Sequence, residues 1–301
     1  MKAFAIAGRL GFHFDRDPLM PDLMKKLYRS EVPAPVAGSV RIVTSDVAGE
    51  LRNCRWHFYK GVPYRVSVRR DAKREISEIL FQAPIFRQFL FFRIVLLPLL
   101  WRQAVRYGGF YLLGTVYRAE DRVTVLFARP GAGKTRRMLE CLQQGRAKLI
   151  GDGSLIYMPD RGFMSIIDEL ELRRNTIAGL PLKKRLKLRQ RLILWVYHMI
   201  SMVTARYISL NISVLPESLG ISSVADSGDL EYRIAEALPG GKARILDRAE
   251  VEDGIIAYLE DYIRHYRNIF DDVPPFEETR KNISAFLRTH PGGGEKTAAD
   301  S

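Results

Sequence analysis

The apolar, β-branched run at residues 122–127 (RVTVLF) leads straight into ARPGAGKT at 128–135. A helix-like segment follows, with Met138, Cys141 and Leu142 on one side and Gly145 as its stop. A strand, a glycine-rich loop and a helix in this order permit few folds. Glycines let the backbone curl until several N–H groups point inward, and the helix N-terminus behind them favours negative charge. Gly131, Ala132, Gly133, Lys134 and Thr135 are therefore candidate phosphate-binding residues. Lys134 supplies a point charge for β- and γ-phosphates, and the Thr135 hydroxyl is a candidate Mg²⁺ ligand. The full G-x-x-x-x-G-K-[ST] pattern is not met, because Ala128 holds its first position and Pro130 has no N–H to offer.

Seventeen residues beyond Thr135, Asp152 stands between two glycines at the expected end of a strand, 148–150. A carboxylate there can hold a metal or accept a hydroxyl proton. A turn aspartate between glycines explains it equally well.

Other chemistries find little support. Cys54 and Cys141 are isolated, and His13, His57, His198, His265 and His290 show no metal spacing. Ser154 has no histidine near it in sequence, so a hydrolase triad is not indicated. Two lone cysteines and no recognisable secretory signal suggest a cytoplasmic protein. The most membrane-like stretch, 89–100, is interrupted by Arg93 and Pro98.

The strand pattern predicts strands near Phe4–Ile6 and 39–45, and a hairpin of 56–58 with 62–68 turning at Lys60-Gly61. Apolar spacing predicts a helix over 75–97, broken by Pro84 and ended near Pro98, and a second short helix over 99–107. Phe86, Phe89, Phe91, Phe92 and Trp101 are expected in its core. Strands follow at 110–117 and 122–127, then a hairpin of 155–158 with 163–167, a long amphipathic helix at 182–204, a strand at 208–215 and a helix at 248–268. The expected organisation is an α+β accessory region at 1–104, a nucleotide-binding α/β domain at 105–289 and a flexible tail at 290–301.

The net charge is +13, spread unevenly. Residues 172–206 hold nine basic residues and no acid, whereas 247–279 hold ten acids against three arginines. The two blocks read either as compensating one another, or the basic one as an exposed patch for an anionic membrane or an acidic partner. On the helix at 182–204, Lys183, Lys184, Lys187 and Arg191 form the basic face, and Leu186, Leu192, Trp195 and Met199 suit the other side. Nucleic-acid binding would rest on net charge alone, with no reader motif.

Gly108-Gly109, the strand to Val116, the glycine loop, the helix closing at Gly145 and KLIGDG at 148–153 together resemble the C-terminal domain of HPr kinase/phosphorylase and its relatives. The likeness covers about 108–165. It implies an α/β P-loop kinase fold akin to phosphoenolpyruvate carboxykinase. It also implies ATP at Gly131, Gly133, Lys134 and Thr135, Mg²⁺ shared by Thr135 and Asp152, and phosphoryl transfer to a serine-type hydroxyl on a protein, peptide or small molecule. Leu113 stands where that family commonly has histidine, Gly153 where it has a second acid, and Ala128 where it has glycine. A nucleotide-binding regulator without turnover is the alternative expectation.

Overall fold

In a computed structural model, the chain is described at residues 2–14, 27, 30–44, 49–119, 121–127, 133–145, 147–203, 211–228, 230–237, 243–262, 266–270 and 272–290. It is a mixed α/β protein with several sheets. Two compact units divide it: Met1–Phe110 with Glu260–Thr279, and Tyr111–Leu259 with Arg280–Ser301. The segment Glu260–Thr279, which the sequence places in the second domain, belongs with the first unit. The reason is Trp101: its ring lies 5.5 Å from that of Tyr266 and 5.2 Å from that of Phe276, and its indole N–H donates to the Thr279 hydroxyl at 3.0 Å. No local sequence pattern records such a contact.

The first unit carries a seven-stranded sheet built from β1 (Lys2–Ile6), β2 (Leu10–Phe14), β3 (Glu31–Val32), β4 (Val40–Val43), β5 (His57–Tyr59), β6 (Val62–Arg70) and β7 (Ile76–Gln82), in the order β3-β1-β2-β4-β7-β6-β5. The β5–β6 hairpin turns at Lys60-Gly61, both at positive φ, as a two-residue turn matched to strand twist requires. Strand β7 replaces the first part of the helix expected over 75–97. It lies between β4 and β6, and Ile79, Leu80 and Phe81 are all buried in succession. An inner strand covered on both faces loses the alternation that identifies half-buried strands.

Helix α1 runs from Arg87 to Arg106, straight through Pro98. A π turn at Phe91–Leu96 precedes the proline, and the Leu97 N–H reaches back to the Phe92 carbonyl. Such a wide turn is where a helix can shift its hydrogen-bond ladder and accommodate an interior proline. By length and composition α1 could cross a membrane, but 67% of its most apolar window is buried, as in a core helix. Phe91 lies 5.7 Å from Phe14 and 5.6 Å from Phe81, locking helix to sheet. Phe91 and Trp101 are fully buried as expected, whereas Phe86 and Phe89 are exposed. Phe86 adopts a left-handed φ just before the first turn, so it stands outside the helix's packed face.

The second unit contains β8 (Phe110–Ala119), β9 (Arg122–Phe127), β10 (Ala147–Met158), β11 (Gly162–Ser165), β12 (Leu170–Leu172), β13 (Ile212–Val214), β14 (Glu231–Ala237) and β15 (Ala243–Ile245). Six of them form a sheet in the order β11-β10-β8-β9-β14-β15, while β12 pairs with β13. Strand β9 runs antiparallel to β8 and parallel to β14. Helices α2 (Lys134–Gln143), α3 (Arg174–Ile177), α4 (Leu188–Val203) and α5 (Arg248–Tyr262) accompany these strands. Met138, Leu139 and Leu142 on α2 join Leu126, Leu149 and Leu194 in one core. The helix expected over 182–204 is broken: Pro181–Arg185 is a 3₁₀ turn, and α4 starts at Leu188. Leu186 is buried with an extended backbone, which ends the first turn before the second helix begins. Residues 208–210 of the expected strand and 291–301 of the expected tail lie outside the described residues.

Candidate functional site

Strand β9 delivers the chain to the loop, of which 128–132 lie outside the described residues, Gly131 and Ala132 among them. The description resumes at Gly133, which caps α2 with a φ of 95°. That left-handed conformation suits glycine, and among the described residues no atom lies within 4 Å of where a Cβ would project. Lys134 and Thr135 are the first two helical residues. The first turn of α2 holds no acid. Arg136 pairs with Glu140 at 3.0 Å, one turn on. The positive end of the helix dipole and the Lys134 cation thus coincide, an arrangement that favours a bound anion.

Asp152 meets this helix from β10. The Thr135 hydroxyl donates to its two carboxylate oxygens, at 3.2 Å to Oδ1 and 2.9 Å to Oδ2. A second hydroxyl, that of Thr115 on β8, also donates to Oδ1. The sequence reading missed Thr115. It is fully buried in an otherwise largely apolar strand, and that lone aliphatic hydroxyl was the available signal. Strand alternation puts Leu113, two residues earlier, on the same face of β8. Asp152 does not end its strand. β10 continues to Met158, with Gly153 at a φ of 90° as a local irregularity.

Gly151 is needed for a different reason. A Cβ there would lie 2.6 Å from the Ser165 Cβ and 2.8 Å from Leu155 Cδ2. Gly151→Ala is expected to destabilise the fold by about 1–3 kcal/mol through overpacking. A lower midpoint in urea at unchanged slope is the expected readout.

The electrostatics of the pair are strained in both directions. Burial raises the pKa of Asp152. The Thr115 and Thr135 hydroxyls and the Lys134 charge oppose that rise, and Glu171 on β12 adds to it. Burial lowers the pKa of Lys134; the Asp152 carboxylate opposes this and Arg173 reinforces it. A carboxyl with a higher pKa in the folded than in the unfolded chain takes up protons on folding. Its contribution therefore turns unfavourable as pH rises from the ordinary carboxylate range through the folded value. Asp152→Asn is expected to raise the stability of the nucleotide-free protein at pH 7 by about 1 kcal/mol. In thermal unfolding that is a midpoint about 2–4 °C higher, the gap closing as the pH falls toward the ordinary carboxylate range. A lower midpoint would mean that attraction to Lys134 outweighs the cost of burial.

Other sequence candidates take structural places. Ser154 is buried and bonded to the Tyr111 hydroxyl at 3.1 Å. His13 meets the Ser39 hydroxyl at 3.2 Å, His57 stacks on Tyr64, and His290 lies 4.9 Å from the Phe286 ring. His265 is outside the described residues. Among the described residues no three His, Cys, Asp or Glu side chains gather as a metal cluster. One carboxylate and one hydroxyl nevertheless suit magnesium, which keeps several waters and takes the rest of its ligands from substrate phosphates. Among the described residues, a Cβ at Gly133 or Gly153 would meet no atom within 4 Å. A scan against protein-family models and a search of curated proteins return no match for this chain.

Proposed function

We propose that the second unit binds a magnesium nucleoside triphosphate and transfers its γ-phosphoryl group to a hydroxyl acceptor. The observation that carries this reading is the Thr135–Asp152 contact at 2.9 Å. It joins the residue after the loop lysine to a carboxylate seventeen positions away, and both face the N-terminus of α2. On this reading the fold is of the P-loop kinase type and the setting cytoplasmic. Gly131, Ala132 and Gly133 are assigned to phosphate binding by their place in the motif, with Lys134 offsetting the phosphate charge. Thr135 and Asp152 would hold Mg²⁺, which when bound neutralises charge developing on the phosphoryl oxygens. Thr115 positions Asp152 through its hydroxyl. Glu171 acts on Asp152 through charge from β12, a second acid on a different strand from Gly153.

One observation favours a second reading, nucleotide binding without turnover. The Asp152 carboxyl accepts from two hydroxyls and its pKa is raised, while neither Leu113, on the same face of β8 as Thr115, nor Gly153, next in the chain, has a side chain that can exchange a proton. Incubating the protein with γ-labelled ATP and cell extract, then resolving labelled products, tests the leading reading. A labelled hydroxyl product lost in Lys134→Ala is expected. Bound ATP that yields no labelled product overturns transfer and leaves the regulator.

A further inference from the structure

The helix α4 is apolar on two opposite sides, and the protein core covers only one. Leu194 is buried in the core, with Ile193 and Tyr197 packed against it. The other side is bare: Leu188 is 82% exposed, Leu192 60%, Trp195 51%, Met199 42%, Met202 61% and Val203 83%. Successive helical residues turn by about 100°, so these six fall in one stripe roughly 120° wide. Arg189 and Arg191 border the stripe on its two edges. Lys183, Lys184 and Lys187 precede it, all exposed.

The charge of this surface is of one sign. The Arg191 guanidinium donates to the Leu186 carbonyl at 2.9 Å and to that of Lys184, tying the basic 3₁₀ turn to the helix start. Gln190 accepts the Lys187 N–H at 2.9 Å and caps the same end. Among the described residues no carboxylate pairs with Lys183, Lys184, Lys187 or Arg189. Four acids of the acidic block pair elsewhere: Glu250 with Arg244, Glu252 and Asp253 with Arg280, and Asp272 with Arg70 and Arg102. The cations gather where the helix dipole is already positive, an arrangement the isolated helix resists.

We propose that the outer face of α4, with the cations around it, docks on an anionic lipid bilayer. An interfacial helix needs an apolar stripe to enter the acyl boundary, cations along both borders to reach headgroups, and an aromatic anchor at that level. Leu188–Val203 supplies the stripe over four turns and Trp195 the anchor, while the cations gather at its start, Arg189 and Arg191 on the two borders and Lys183, Lys184 and Lys187 before them. A helical protein partner is commonly met by flanking charges of both signs, whereas residues 172–206 contain no acid.

Sedimentation of the full chain with vesicles of phosphatidylcholine alone, or carrying about one third phosphatidylglycerol, tests this. Binding to the anionic vesicles at about 0.1 M salt is expected to be at least tenfold stronger than to neutral ones, and to weaken at about 0.5 M. The triple variant Lys183→Glu, Lys184→Glu, Lys187→Glu should lose about a hundredfold, and Trp195→Gln about tenfold. Both alter exposed side chains, and unchanged thermal midpoints would confirm that the fold persists. Absence of sedimentation with anionic vesicles at low salt overturns the proposal. So does binding that both variants retain. A dimer in solution that Leu192→Gln dissociates, with no vesicle binding, assigns the face to a second copy instead.

Discussion

Lys134→Ala is expected to weaken binding of magnesium ATP about a hundredfold while leaving the protein folded. A hydrogen bond to a charged group contributes about 1.5–3 kcal/mol. Tenfold in affinity is about 1.4 kcal/mol, so one lost ammonium–phosphate contact accounts for one to two decades. Lys134 is placed to give the upper end of that range. It is the first residue of α2, directly after the glycine that caps the helix. Its ammonium is already partly desolvated, as its lowered pKa records, so less hydration is left to lose when a phosphate arrives. Removal of the ammonium also takes an opposing charge from the Asp152 carboxylate, so stability is measured beside affinity. Binding and folding are thereby separable, with calorimetry for the first and a thermal midpoint for the second. Equal ATP affinity in the variant and the native chain would remove the glycine loop from nucleotide binding.

Turnover is expected to be slow in the native chain and to fall a further 10²–10⁴-fold in Asp152→Asn, if transfer occurs as proposed. General acid–base help is worth about that factor, and the other contributions are positioning and charge neutralisation. Leu113 can neither exchange a proton nor offer charge. Gly153 has no carboxylate, but its surroundings can admit one: no atom lies within 4 Å of the Cβ position. Its φ of 90° opposes any side chain, at about 1–2 kcal/mol, with aspartate among the residues that tolerate it best. Gly153→Asp should therefore lose stability and gain turnover. ATP consumption by the native chain, Asp152→Asn and Gly153→Asp, with and without acceptor, checks the series. Turnover that survives Asp152→Asn excludes Asp152 from the mechanism. Tight ATP binding without turnover, and a gain only in Gly153→Asp, would assign the native chain to regulation.

The sequence by itself determined what short-range chemistry controls. Lys60-Gly61 sets a hairpin because two adjacent positive φ values suit such a turn, and the structure has both. Strands β8 and β9 and helix α2 follow from β-branched runs, Gly133 and Gly145, and their boundaries lie close to those read from the residues. The motif singled out Thr135, whereas the spacing of Asp152 suited a turn aspartate equally well; the fold brings the two into contact.

Tertiary structure decided the rest, because the deciding contacts join distant residues. Ile76–Gln82 is a strand since β4 and β6 enclose it on either side, and enclosure erases alternation. Pro98 sits inside a helix because the π turn before it accommodates the ring. Thr115 joins the site only once β8 lies beside β10, and Asp152 takes its shifted pKa from the protein packed around it. From its residues α4 offered Leu192, Trp195 and Met199 as the apolar side opposite the basic face, yet all three are exposed, and a different apolar side, that of Leu194, is buried. Which one faces the core was decided by Leu194 finding a place there, and that choice left Trp195 and its neighbours outside. A side chain's identity is local, but its solvent is set by whatever the rest of the chain brings against it.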